Sequence, residues 1–220
     1  FESLRIVTYY GNYIMIVGKL NELVNNVLMG MNASIGNLVA EGDMKNTQKV
    51  FWEFITFRYW TAGIFIIGLS FLINPVITWW LGAQYILADH IVFLILLNMY
   101  IMLTRPSIDL FINAYGLYDD IWAAYGEGII NITITIVIGY FYGLIGILLG
   151  KTISMLIFAV SWKPYYLYKK GFRTPLSYYW RNIIIHYILL SICLLIGYLT
   201  NKLFNWSVSS TTQGIFLYSI

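Results

Sequence analysis

The sequence predicts an all-α protein, a polytopic transmembrane helix bundle with about six full spans and the start of a seventh. Of its 220 residues, 60% are hydrophobic and only 10% are charged, and the mean hydropathy is +0.73. A soluble domain carries about a quarter charged residues. The apolar residues form successive stretches of about 20 residues or more, which is the length that an α-helix needs to cross a bilayer.

Helix-breaking residues separate these stretches in order along the chain. Asn74–Pro75 and Gly82 end or bend the second predicted helix, because proline removes a backbone donor and glycine favours turns. Gly143 allows a tight turn between the fourth and fifth, and Pro175 separates the fifth from the sixth. The predicted helices cover about residues 7–38, 53–80, 86–116, 119–141, 144–168 and 177–202, with a seventh beginning near 213.

The distribution of Lys and Arg predicts the orientation, because cytoplasmic loops of membrane proteins carry an excess of both. The link between the fifth and sixth helices is the most basic, with Lys163, Lys169, Lys170, Arg173 and Arg181. The link near Lys45 and Lys49 is the next most basic, whereas the links around Tyr85 and 141–143 contain neither residue type. All four links agree with one topology, in which the first helix runs toward the cytoplasm.

Polar residues recur at helical spacing within four of the predicted spans. An ionisable side chain at mid-membrane costs about 2.5–3.5 kcal/mol on insertion scales, so it usually faces a bundle interior or a wet cavity. The four polar faces, taken in helix order, are Asn12, Lys19, Glu22 and Asn26; Asn98, Arg105, Asp109 and Asn113; Glu127, Asn131 and Thr135; and Lys151, Thr152 and Ser154. Together they predict a hydrated cavity between the helices, as in the lumen of a transporter.

Two of these charge pairs have a simpler interpretation that the sequence leaves open. Lys19–Glu22 and Arg105–Asp109 have the i,i+3 and i,i+4 spacing at which neighbours on a helix neutralise each other. Lys151 and Glu127 have no opposite charge on their own helices. Arg58 lies near the start of the second predicted helix, and we expect its side chain to reach the membrane interface.

The third predicted helix contains a proline inside the span. The Arg105–Pro106 step disfavours α-helical geometry and removes one backbone donor. We therefore predict a kink near residues 102–106, with freed carbonyls that side chains or water must satisfy.

Several classes of function are disfavoured by the composition. A formal net charge of +3 is too small to indicate a nucleic-acid partner, and a lone Cys193 permits no intrachain disulfide and no metal cluster of the usual spacing. We expect no metal and no cofactor. Because the chain begins at Phe1 and its last apolar stretch is cut short at Ile220, we also expect it to be an internal piece of a longer protein.

Several short segments follow the order of a known family signature. Tyr10-Gly-Asn-Tyr13 and then Ala33-Ser-Ile-Gly-Asn-Leu38 resemble the Y-S-N-Y … A-S-I-G-N-L signature of bacterial polysaccharide flippases, which belong to the multidrug/oligosaccharidyl-lipid/polysaccharide exporter superfamily. The further matches, in family order, are Asn74-Pro75, Trp80-Leu-Gly82, Asn98, Arg105, Asn113-Ala-Tyr-Gly116, Glu127, Asn131, Gly143-Leu-Ile-Gly-Ile147, Leu149-Gly150, Ser154 and Lys163-Pro-Tyr-Tyr-Leu-Tyr168. The resemblance covers most of residues 9–172.

The resemblance implies an architecture and a function. Residues 1–172 would form C-terminal lobe helices of a two-lobe exporter core, and residues 173–220 accessory C-terminal transmembrane helices, the second one truncated. The protein would be a multi-pass protein of the bacterial cytoplasmic (inner) membrane, among membrane lipids. It would flip undecaprenyl-pyrophosphate-linked oligosaccharide for surface polysaccharide assembly, and it would not be an enzyme.

The candidate residues divide by chemistry, since Asn side chains suit sugars, Lys and Arg suit phosphate, and carboxylates suit a coupling H+ or Na+. The predicted substrate-binding residues are Lys19, Asn98, Arg105, Asn113, Asn131 and Lys151. The predicted ion-coupling residues are Glu22, Asp109 and Glu127. The family pattern has an uncharged residue at position 151 and does not include Lys19 or Glu22.

Two other functions compete with the flippase. A drug/cation antiporter of the same superfamily would favour an acidic cavity, whereas here three intramembrane cations balance three carboxylates. A membrane-embedded enzyme of glycan assembly would need a long external loop or a His facing a Ser or carboxylate, and His90 and His186 stand alone in the sequence.

The topology predicts which link an external reagent reaches. In a Cys193→Ser background, a Lys170→Cys variant in intact cells should resist an impermeant maleimide and react only after permeabilisation. The matched control, Gln84→Cys in the link around Tyr85, should react in intact cells. Ready labelling at position 170 in unbroken cells would overturn the orientation and the span count.

Overall fold

The computed structural model describes residues 4–204, and that part of the chain is helical, without a β-strand. The helices in chain order are α1 Leu4–Met29, α2 Asn32–Ala40, α3 Met44–Trp80, α4 Asp89–Thr104, α5 Pro106–Ala114, α6 Ile121–Tyr142, α7 Leu144–Met155, α8 Lys163–Tyr166 and α9 Leu176–Phe204. Two π-helical segments, Leu156–Trp162 and Leu167–Phe172, make α7 and α8 one continuous rod, and a short 3-10 turn, Ala83–Tyr85, precedes α4. The all-α prediction is confirmed.

Five helical segments in the described chain are long and apolar enough to cross a membrane. They are Met44–Trp80, Asp89–Ala114, Ile121–Tyr142, Leu144–Phe172 and Leu176–Thr200. The first predicted helix is divided by a turn at Gly30 and Met31 into α1 and α2, and α1 is not among the five because its polar residues lower its hydropathy. The described chain thus contains the spans of a multi-pass membrane protein, and the seventh predicted helix lies outside the described residues.

The second predicted helix begins earlier than its hydropathy indicated. Asp43 caps it, because the side-chain carboxylate accepts hydrogen bonds from the backbone N–H groups of Lys45 and Asn46, both at 3.1 Å. The helix continues through Pro75 to Trp80 and ends before Gly82, whose φ of 106° is accessible to glycine at little cost.

A buried tyrosine joins α1 to the proline-containing part of α3. The hydroxyl of Tyr13 donates to Asn74 Oδ1 at 2.7 Å and accepts from the backbone N–H of Leu87 at 3.2 Å. Tyr13 is fully buried, so one phenol connects α1, α3 and the link that precedes α4.

The rod formed by α4 and α5 is interrupted at Arg105, within the predicted range. The carbonyl of Leu103 accepts a hydrogen bond from Arg58 Nη1 at 3.2 Å, and the carbonyl of Thr104 accepts one from the Ser107 hydroxyl. Side chains therefore satisfy carbonyls next to Pro106, as the sequence predicted.

Arg58 does not reach the membrane interface, so that prediction is wrong. Arg58 is only 5% exposed, and its Nη1 also donates a hydrogen bond to Asn25 Oδ1 at 2.8 Å. The side chain turns inward because the interrupted helix offers it a carbonyl acceptor and α1 offers it an amide.

The fourth and fifth predicted helices form the expected tight hairpin, α6 and α7. Gly143 makes the turn with a φ of 57°. A Cβ atom on Gly146 would lie 2.4 Å from the backbone N of Gly139, and one on Gly150 would lie 2.4 Å from Thr135 Oγ1. Only glycine permits this approach of the two helix backbones, a common device in membrane helix pairs.

Aromatic side chains form much of the core around α3. The Phe51 ring lies 5.0 Å from the Phe111 ring and 4.8 Å from the Phe172 ring, so α3, α5 and the 167–172 segment meet there. By contrast, α6 and α9 are largely unburied and present apolar side chains such as Ile132 and Ile188 to the outside. An exposed apolar face of this kind is stable against lipid tails.

The glycine contact predicts a specific loss of stability. Gly146→Ala should destabilise the protein by about 1–3 kcal/mol, because the added methyl group meets backbone atoms that cannot move aside. Gly128→Ala on α6 is the matched control, since nothing lies within 4 Å of its Cβ position. Thermal unfolding of detergent-solubilised variants measures both, and equal midpoints would refute the close approach.

Candidate functional site

Five ionisable side chains from the α4–α5 junction, α5, the start of α6, α6 itself and α8 form one connected network. Four ion pairs join them, each with a nitrogen–oxygen distance of 3.3 Å or less. We call this set the ion network, and its members are Arg105, Asp109, Asp120, Glu127 and Lys163.

Arg105 bridges two carboxylates from different helices. Its Nε lies 3.1 Å from Asp109 Oδ2, and its Nη1 lies 2.7 Å from Glu127 Oε1. The i,i+4 pair that the sequence left open is therefore formed. Glu127, which has no partner on its own helix, pairs with Arg105 at the α4–α5 junction.

Lys163 brings a second cation into the network from α8. Its Nζ lies 3.3 Å from Asp109 Oδ1 and 3.2 Å from Asp120 Oδ2. The π-helical turns on either side of α8 change the direction in which its side chains point, compared with a continuous α-helix. The Ser161 hydroxyl donates to the carbonyl of Leu156, five residues earlier, at 2.8 Å, which matches a π turn.

The ion network carries an excess of negative charge. With every group ionised, two cations and three carboxylates give a net charge of −1. Asp109 contacts both cations, and its side chain is 30% exposed, whereas that of Asp120 is only 6% exposed. A proton or a monovalent cation would neutralise this charge, so the arrangement suits a site that binds one.

Lys151 lies on α7 beside α4 and belongs to no ion pair in the part of the chain that the structure describes. Its Nζ lies 3.2 Å from the sulfur of Met102, a weak acceptor. Met102 precedes Arg105 by one helical turn, so Lys151 faces the same stretch of α4 that leads into the ion network.

Two asparagines predicted to bind substrate are engaged in hydrogen bonds within the bundle. Asn98 is buried between α4 and α7, where Oδ1 accepts from the Thr152 hydroxyl at 3.0 Å and Nδ2 donates to the Leu148 carbonyl at 3.4 Å. Asn131 is half-buried, and its Oδ1 accepts from the Thr135 hydroxyl at 3.3 Å.

The remaining predicted residues lie on exposed faces. Lys19 and Glu22 form their ion pair at 2.9 Å with side chains 77% and 57% exposed, and Asn113 is exposed near the end of α5. The structure therefore brings Arg105, Asp109 and Glu127 together, but it does not add Lys19, Glu22 or Asn113 to their contacts.

Sequence reasoning missed Lys163 and Asp120 as network members. Lys163 was assigned to a basic link, and Asp120 lies in the short connection before α6. The only signal for Lys163 was its place in the segment Lys163-Pro-Tyr-Tyr-Leu-Tyr168, which also belongs to the flippase resemblance.

Among residues 4–204, no group of three or more His, Cys, Asp or Glu side chains is arranged to hold a metal ion. Comparisons with protein-family models, with curated proteins and with solved structures find no match to this chain. The flippase family stays a prediction, and the function must be argued from the site.

The ion network predicts a non-additive pair of substitutions. Arg105→Gln should destabilise the protein by about 1–3 kcal/mol, because it leaves Glu127 without its cation. The double variant Arg105→Gln/Glu127→Gln should be more stable than Arg105→Gln alone, because it restores the net charge of −1. Lys49→Gln, which breaks the exposed 3.9 Å pair with Glu53, is the control and should cost less than about 1 kcal/mol.

Thermal unfolding in detergent supplies all these values for a double-mutant cycle. If the loss of stability in the double variant equals the sum of the losses in Arg105→Gln and Glu127→Gln, the ion pair between Arg105 and Glu127 contributes nothing to folding stability.

Proposed function

We propose that this chain is part of a transporter that flips undecaprenyl-pyrophosphate-linked oligosaccharide across the bacterial cytoplasmic membrane. The observation that carries the proposal is Lys151, a half-buried cation within a span whose nearest polar contact is the sulfur of Met102. A cation that protein carboxylates do not compensate attracts an anionic group of the substrate. The order of motifs that resembles the flippase signature supports the same substrate class.

The chemistry of the substrate matches the division of polar groups. The pyrophosphate would pair with Lys151, and the sugar hydroxyls would hydrogen-bond to amides such as Asn131 on α6 and Asn113 on α5. The polyprenyl tail would stay in lipid against the exposed apolar side chains of the outer helices.

We assign Arg105 to coupling rather than to the pyrophosphate. Its guanidinium already contacts Asp109 and Glu127, so an incoming phosphate would have to compete with two carboxylates. Its exposed fraction of 29% still leaves it within reach of water and of small ions.

The ion network would couple transport to an ion gradient. A proton or Na+ on Asp109 weakens the attraction to both Arg105 and Lys163, because the carboxylate charge that they share is cancelled. The α4–α5 junction and α8 then separate at lower cost. Rocking of helices around a fixed site is the usual route by which transporters alternate access.

A drug/cation antiporter is the second candidate, and one observation favours it. The ion network holds three carboxylates and two cations, so its charge would attract an organic cation. On that proposal, Lys151 would oppose the substrate rather than bind it.

Lys151 separates the two candidates experimentally. In proteoliposomes carrying a fluorescent lipid-linked oligosaccharide, Lys151→Gln should lower the flipping rate about tenfold or more, the loss of one charge-assisted contact, and Lys151→Arg should retain part of it. Lys169→Gln is the control, because its ammonium group is exposed and contacts the Tyr165 hydroxyl.

The same variants test the alternative. Unchanged flipping in Lys151→Gln would exclude the pyrophosphate contact. Faster export of a cationic dye by Lys151→Gln than by the parent protein, with no flipping by either, would support the antiporter.

A further inference from the structure

An open groove of about 430 Å³ lies apart from the ion network, where the link before α9 meets α3. We call it the link groove, and its lining residues are Gln48, Thr174, Pro175, Ser177, Tyr178 and Arg181. None of these side chains takes part in an ion pair in the described chain, and none is acidic.

The link groove lies near one terminus of each of three candidate spans. One span begins at Met44, four residues before Gln48; another ends at Phe172, two residues before Thr174; the third begins at Leu176. Trp52 contacts Tyr178, with ring centroids 5.7 Å apart, and Trp and Tyr favour the headgroup region of a bilayer. The groove therefore opens at the depth of lipid headgroups.

The groove offers hydrogen-bond donors and positive charge. Arg181 is exposed and lies over the Tyr178 ring, with Cζ 5.6 Å from its centroid, so the guanidinium edge keeps donors free for a ligand. Ser177 is also exposed and adds a hydroxyl donor to the lining of the groove.

Phosphate is the group that best fits these features. It is anionic, it has several acceptor oxygens, and it pairs with a guanidinium through two parallel hydrogen bonds. Lys169 and Lys170, in the basic link, add positive potential beside the groove.

We propose that the link groove binds the phosphate of an anionic phospholipid headgroup, with Arg181 as its main contact. Lipid is the source because the groove opens at headgroup depth, where phospholipid phosphates are concentrated. The site uses neither the ion network nor Lys151. A failure of the proposed transport function would therefore leave this proposal unaffected, and the reverse also holds.

The test uses the purified protein in a neutral detergent with short-chain phosphatidylglycerol as the probe. Phosphatidylglycerol should raise the thermal unfolding midpoint in a saturable way, because a ligand that binds only the folded state stabilises it. Short-chain phosphatidylcholine, whose headgroup has no net charge, should have a much smaller effect.

Two variants locate the site. Arg181→Gln should weaken phosphatidylglycerol binding about tenfold or more. The matched control is Arg173→Gln, because Arg173 is exposed in the same link but does not line the groove. It should leave binding within about twofold of the parent protein.

Three results would overturn the proposal. Equal losses in Arg181→Gln and Arg173→Gln would mean that the link attracts anions only through its overall charge. Equal binding of phosphatidylcholine would remove the requirement for an anionic headgroup. Saturable binding of inorganic phosphate without any effect of phosphatidylglycerol would assign the groove to free phosphate instead of lipid.

Discussion

Arg105 lies where the rod of α4 and α5 is interrupted, and its ion pair with Glu127 ties that point to α6. The lipid tails of a bilayer offer no hydrogen bonds, so a polar group at this interruption needs a partner in the protein or in a wet cavity. Arg58 satisfies the Leu103 carbonyl, Ser107 satisfies that of Thr104, and Asp109 and Glu127 compensate Arg105. The break in one helix thereby organises contacts from α1, α3 and α6.

The charges inside the bundle fall into two classes with different consequences. The ion network is self-compensating apart from one negative charge, and Asp109 is shared by both of its cations. Lys151, on α7 beside α4, belongs to no ion pair among the described residues, and its Nζ contacts the sulfur of Met102. On the proposed function, the ion network would hold the coupling ion and Lys151 would bind the anionic substrate at a separate place.

Much of the helical framework was predictable because it depends on local chemistry. Gly143 predicted a tight hairpin, and the structure shows the two helices so close that a Cβ atom on Gly146 would meet backbone atoms of α6. Pro106 predicted the interruption at Arg105. Tyr13 and Asn74, which belong to two separate segments of the flippase resemblance, form a hydrogen bond across 61 residues. The predicted start of α3 lay too far along the chain, because the first turns of the helix are polar. The Asp43 cap stabilises these turns, whereas hydropathy detects only apolar ones.

The sequence by itself determined the all-α class and the five apolar spans found in the described chain, because hydropathy and i,i+4 spacing act within single helices. It also identified the Arg105–Asp109 pair for the same reason. Only the tertiary structure decided that Lys163 and Asp120 complete the ion network and that Arg58 turns inward. It alone also decided that Lys151 lies beside Met102 and pairs with no carboxylate within residues 4–204. Those outcomes depend on how the helices rotate against one another, and on π turns that redirect α8, so residues far apart in the chain become neighbours through packing alone.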